Sequence, residues 1–115
     1  MIVRFPHAEV LVEIARTPEQ LSRGLSGRPG LPEDHGMLFD MGSSAAWPFT
    51  MRGVSFPLDM LFLDEGRAVV GLIAGATPNT EGPYVVRAPS RWVVEVPGGW
   101  AERHGVDLGD RVSFG

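Results

Sequence analysis

The stretch Phe49 to Asp64, FTMRGVSFPLDMLFLD, places Arg52 and Asp59 inside one of the most apolar parts of the chain. A charge in such surroundings has to be paired, hydrogen-bonded or functional, because losing hydration without compensation is costly. Two readings of this pair stay open. If the strands Trp47 to Met51 and Leu58 to Leu63 meet across the turn Gly53 to Pro57, Arg52 and Asp59 come close and a bidentate ion pair pins the loop. Alternatively Arg52 is a fork for an anion and Asp59 accepts a ligand hydroxyl or serves as a general acid/base.

Outward from this stretch the chain reads as many short strands joined by turns. Its 15 glycines and 10 prolines are spread over 115 residues, which punctuates short elements and disfavours long helices. Val10, Val12 and Ile14 alternate in Ala8 to Ala15, the first expected strand. Thr17-Pro18-Glu19-Gln20 reads as a helix start, with Thr17 as N-cap, Pro18 at the first helical position and Gln20 completing a capping box. That helix is short and ends near Gly24 to Gly27. Arg28 to His35 reads as a loop, Gly36 to Phe39 as the start of the apolar middle, and Asp40 to Ala46 as a small-residue loop.

Further strands are expected over Ala68 to Ala74, Tyr84 to Val86 and Trp92 to Val96, with Asp64-Glu65-Gly66-Arg67 as a tight hairpin turn. Gly98-Gly99 opens a helical turn through His104, with Gly105 left-handed after it, and Val106 to Val112 feeds a last strand. Leu58 to Leu63 and Ala68 to Ala74 are apolar on both faces, as in the centre of a sandwich or barrel. The expected fold is therefore mainly β: one domain over residues 1–115, an antiparallel β-sandwich or jelly-roll-like barrel with one or two short helices.

Composition narrows the chemistry. With no cysteine, thiolate catalysis, disulfides, iron-sulfur clusters and Cys-based zinc sites are closed. All ten basic residues are arginine, which removes Schiff-base and P-loop lysines. A formal net charge of -4 argues against nucleic-acid or anionic-membrane partners. The apolar runs fall short of the ~20 residues a membrane span needs. The opening MIVRFPHAEV lacks the apolar core of a signal peptide, so the sequence as written points to the cytoplasm, with an exported form and trimmed leader as the alternative.

Four segments resemble one family: VEIARTPEQLSRGLSGR (Val12 to Arg28), GMLFDM (Gly36 to Met41), FTMRGVSFPLDMLFLD (Phe49 to Asp64) and VVEVPGGWAERHGVDLGDRV (Val93 to Val112). In order and extent they are similar to the DUF192 family, also called UPF0127. The resemblance implies a compact β-sandwich, similar to a jelly roll, with a small helix beside it, in a family whose function is unknown. Members often carry an aromatic residue before the central Met and Asn-Thr after the basic residue; here those positions hold Thr50 and Gly53-Val54. Many members also carry an export leader, and this sequence shows none.

Beyond Arg52 and Asp59, Arg28 in GLSGRPG is a candidate anion ligand, or it closes the carbonyl end of the short helix or pairs with a carboxylate. Arg91 carries the same ambiguity. His7, His35 and His104 share no metal-ligand spacing, so no metal or cofactor is expected; His35 is a candidate general base. Ser26, Ser43 and Ser44 lie in loops without a GxSxG elbow. Met37, Met41, Met51 and Met60, with Trp47, Phe49, Phe56 and Phe62, either line an apolar cleft or form core.

The reading these residues support best is a binding or accessory module. In it Arg28, Trp47, Phe49, Arg52 and Asp59 meet a small polar or anionic molecule. The alternative is a metal-independent hydrolase or lyase using Asp59 or His35 as acid/base.

Overall fold

The computed structural model describes all residues, 1–115. Six strands form one sheet: β1 (Ile2–Phe5), β2 (Ala8–Ala15), β3 (His35–Ala45), β4 (Leu58–Leu63), β5 (Val69–Ala76) and β6 (Ser90–Pro97). Their spatial order is β1-β2-β3-β6-β4-β5. All neighbouring pairs are antiparallel except β2 and β3, which run parallel because α1 (Pro18–Arg23) and its loop carry the chain back between them. A second short helix, α2 (Trp100–Arg103), follows β6. The protein is mainly β with two short helices, as expected, and none of its helices is long and apolar enough to cross a membrane.

The sheet curls, and the C-terminal segment spans its two ends. Ser113 bridges Arg4 of β1, and Arg111 bridges Ala68 just before β5. Inside this curl Val3, Val10, Val12, Leu38, Leu61, Leu63, Val94, Val96 and Trp100 form one core. The outer face carries a second core, with Met37, Phe39, Leu58, Met60, Phe62 and Val93 covered by Leu25, Met51 and Val54. The second layer of the expected sandwich is thus supplied by α1 and connecting segments. Strands such as β4, buried at every position, need this cover on both faces.

Several expected elements take a different form. Trp47 to Met51 is not a strand: its single β-bridge, Phe49–Tyr84, lies outside the six strands, and β4 pairs with β5 and β6 instead. Tyr84 to Val86 likewise contributes that single bridge. Asp40 to Ala45, expected as loop, continues β3 through a register shift against β6. Ile2–Phe5 is an additional strand, paired with β2. In the hairpin after β4 the left-handed residue is Arg67 (φ 65) and not Gly66; its guanidinium lies over the Phe114 ring at 3.7 Å and donates to the Phe114 carbonyl oxygen, which holds the closing segment.

Asp59 projects from β4 into the inner core and is fully buried. Its Oδ1 accepts from Gly75 N (2.9 Å) and Gly99 N (3.0 Å), and its Oδ2 accepts from Ala101 N (2.9 Å). Gly99 precedes α2 and brings no side chain of its own, so Asp59 performs from a neighbouring strand the N-capping that Thr17 performs locally for α1. One carboxylate therefore joins β4, the end of β5 and the start of α2. Asp59→Asn replaces one acceptor with an amide facing a backbone N–H. It is expected to lower unfolding free energy by roughly 2–4 kcal/mol, given about 1.5–3 kcal/mol per charge-assisted hydrogen bond. Urea denaturation measures this, and a midpoint equal to the parent's would show that the three bonds do not hold the fold.

Candidate functional site

The sheet's outer face carries a row of side chains set by the strand register: Glu13 of β2, Met37 of β3, Glu95 of β6, Met60 of β4 and Ile73 of β5. Glu95 lies between two methionines, with Val93 also on its face. The close approach that creates this setting requires Gly36, because a Cβ there would fall 2.3 Å from the Glu95 carbonyl oxygen. Only 3% of Glu95 is exposed. Its carboxyl has no hydrogen-bond partner within the protein, in contrast with the three donors on Asp59. Burial without a compensating donor pushes the Glu95 pKa up to about 8.

Above Glu95 opens a cleft of about 240 Å³. Its walls are Leu21, Leu25, Phe39, Met41, Phe49 and Val54, and its polar rim includes Ser22, Arg23, Thr50 and Arg52. Phe49 meets Phe39 edge to face (5.2 Å between centroids) and Phe62 likewise (5.8 Å), so the aromatic wall is braced against the core. The rim segment is tied down by backbone bonds: Phe49 and Tyr84 exchange N–H···O bonds, Met51 N donates to Thr80 O, and Gly27 N donates to Gly53 O. Gly53 has φ +76, and a Cβ on it would meet Ser26 Oγ at 2.9 Å. At Gly53 the rim segment thus lies directly on the loop after α1, where a side chain would collide.

The residues singled out by sequence distribute unevenly around this cleft. Arg52 and Phe49 line it; Arg52 is exposed and pairs with Glu81 at 2.6 Å. The Arg52–Asp59 ion pair does not form, because the strands expected to meet across Gly53 to Pro57 are not paired and Asp59 points into the opposite core. Trp47 is half-buried and donates its indole N–H to Ser43 O at 2.9 Å, beside the cleft and not in its lining. Arg28 faces a neighbouring depression, bonded through both terminal nitrogens to Glu13. That hydrogen bonding holds the Glu13 carboxyl below the usual range and raises the Arg28 guanidinium.

His35 is exposed at the start of β3 and lines a third depression with Asp34 and His104. The structure therefore brings Arg52 and Phe49 together, and separates them from Arg28, Asp59 and His35. Arg91 pairs with Asp40 elsewhere on the sheet.

Two residues of the cleft carry no sequence signal used above. Arg23, in the last turn of α1, lines both the Glu95 cleft and its neighbour and has no ion-pair partner. Glu95 sits in WVVEVP, where an acidic residue between valines is the same kind of signal that marked Asp59. It identifies a buried carboxyl only once the pattern of both neighbouring strands is known.

A family model described as DUF192, an uncharacterised family, matches residues 2–114. A crystal structure of a protein from Sinorhizobium meliloti, suggested to be a transcription regulator, is similar with a TM-score of 0.93 and 34% identity, over 97% of this chain and 91% of that one. A crystal structure of a protein of unknown function from Novosphingobium aromaticivorans is similar with a TM-score of 0.92 and 32% identity, over 98% of this chain and 84% of that one. No curated protein matches the chain.

The raised Glu95 pKa has a consequence for stability. Between 4.5 and about 8 the folded protein holds a proton on Glu95 that the unfolded chain has released. Its contribution is therefore full below the unfolded value and falls by about 1.4 kcal/mol per pH unit as pH rises through this window. Glu95→Gln removes that slope, so the stability of the variant relative to the parent is expected to increase from about pH 5 to about pH 8 in chemical denaturation. A difference independent of pH would show that Glu95 ionises normally.

Proposed function

The chain belongs to the DUF192 family of uncharacterised proteins, and we propose that it works by binding a small molecule in the Glu95 cleft. The observation that carries this reading is the unpartnered carboxyl at the cleft's base. Proteins pair their buried polar groups, and a carboxyl without a protein partner at the base of an accessible cleft offers a ligand a hydrogen bond that no side chain takes up. The walls offer an apolar body its contacts, while Glu95, Thr50 and the rim arginines fix orientation. The volume, just under the ~300–1,000 Å³ of pockets for drug-sized compounds, suits a metabolite-sized guest.

Binding is favoured over acid/base chemistry because the cleft lining pairs Glu95 with no second carboxyl or imidazole. Asp59 and His35, the alternative acid/base candidates, lie outside it, and both Asp59 oxygens already accept backbone hydrogen bonds.

A thermal-shift screen across metabolite classes tests the reading on the whole chain. A ligand at 100 times its Kd adds about 2.7 kcal/mol to the folded state, a rise of roughly 10 °C for a domain of this size. Ser22→Trp, an exposed change that fills the mouth, is expected to abolish the shift without lowering the melting temperature of the free protein. No shift with any class, or shifts unchanged in the filled variant, would rule the cleft out as a binding site.

A further inference from the structure

Resting on the cleft as a binding site, we propose that its ligand is a small organic monoanion: an apolar body with a carboxylate at its outer end and a hydroxyl or carbonyl oxygen at its inner end. The outer charge follows from the rim. Arg23 and Arg52 are the charged groups at the mouth, contributed by α1 and by the segment after Phe49. Arg23 is without an ion-pair partner, and Arg52 shares its guanidinium only with the exposed Glu81. Exposed pairs of that kind are weak and readily exchanged for a ligand carboxylate. A guanidinium is also the side chain whose fork matches a carboxylate. A cationic guest would meet two arginines at the entrance, which the walls do not offset.

The inner end follows from Glu95. The residues flanking it in register, Met37 of β3 and Met60 of β4, provide no donor. The other charged group in its row, Glu13 of β2, lies two strands away and is tied to Arg28. With no donor to hold a negative charge, the carboxyl stays protonated at neutral pH, in keeping with its raised pKa. A protonated carboxyl donates one hydrogen bond and accepts another, which a hydroxyl satisfies fully and a carbonyl in part. The body between the two ends lies against Phe39, Phe49 and Met41. A benzene ring fits that wall, since both phenylalanines are braced edge to face.

Three matched probes isolate the outer charge: 4-(hydroxymethyl)benzoate, 4-(hydroxymethyl)benzylamine and 1,4-benzenedimethanol share the ring and inner hydroxyl and differ only at the outer end. Each is titrated into the full chain at millimolar concentration and followed by amide chemical shifts of the cleft residues. The benzoate is expected to bind at least about tenfold tighter than the diol, a difference lost in the R23Q/R52Q double variant, whose changes are confined to exposed side chains. In Glu95→Leu, which leaves the base of the cleft without a hydrogen-bonding group, the benzoate is expected to bind several-fold more weakly; unchanged affinity would overturn the assignment of the inner end.

Tighter binding of the amine, or benzoate affinity indifferent to the two arginines, would overturn the anion assignment while leaving the cleft as a binding site. Failure of the benzoate to shift any cleft amide would overturn it as well, and the metabolite screen then decides separately whether the cleft binds anything.

Discussion

A carboxylate can sit inside an apolar sheet face where backbone donors converge on it, and the hold of three amides on Asp59 is the interaction from which the rest of the architecture follows. Those amides come from the end of β5, the residue before α2 and the first turn of α2, so satisfying one side chain fixes three elements relative to β4. Asp59 lies beside Val96 in the register of β4 against β6. The same strand pairing that turns Asp59 inward turns Met60 and, across from it, Glu95 outward. With a period of two, the facing of Asp59 thus decides the facing of Glu95.

The two carboxyls make a controlled comparison within one molecule. Both are buried in apolar strands, Asp59 completely and Glu95 to within 3%. One has more donors than most surface carboxylates, and the other has none. That contrast sorts them into structure and site more firmly than the types of residue around them. It also explains why Arg52, the charge that shares a segment with Asp59, has no role in Asp59's neutralisation: it serves the rim of the outer cleft, on the other side of the sheet.

Much of the fold was legible in the sequence because its cues are local. The capping box at Thr17 and Gln20, the alternation in Ala8 to Ala15 and the apolar run Leu58 to Leu63, interrupted by Asp59 alone, each depend on neighbours within a few residues. The mainly β, single-domain reading and the family resemblance follow from them. What stayed hidden depends on distant pairing. Phe49 looks like the start of a strand, yet its only sheet-like partner is Tyr84, and Gly42 to Ser44 look like a loop although β3 runs through them. Arg67 takes the left-handed turn position that Gly66 advertises, and its guanidinium is held over Phe114 at the far end of the chain. Of the site, Arg52 and Phe49 were visible, but Glu95 was not: its burial needs Met37 and Met60 on either side and α1 above, none of them near it in sequence.

The central claim is that Glu95 is a donorless carboxyl kept protonated beneath the cleft. Carbon-13 NMR of the side-chain carboxyls, with the Glu95 resonance assigned by its absence in Glu95→Gln, reads its titration directly in the ligand-free protein. The midpoint is expected near 8, well above the ordinary 4.5. A midpoint at the ordinary value would mean that Glu95 is solvated or paired, and the carboxyl at the base of the cleft would then need no ligand to complete it.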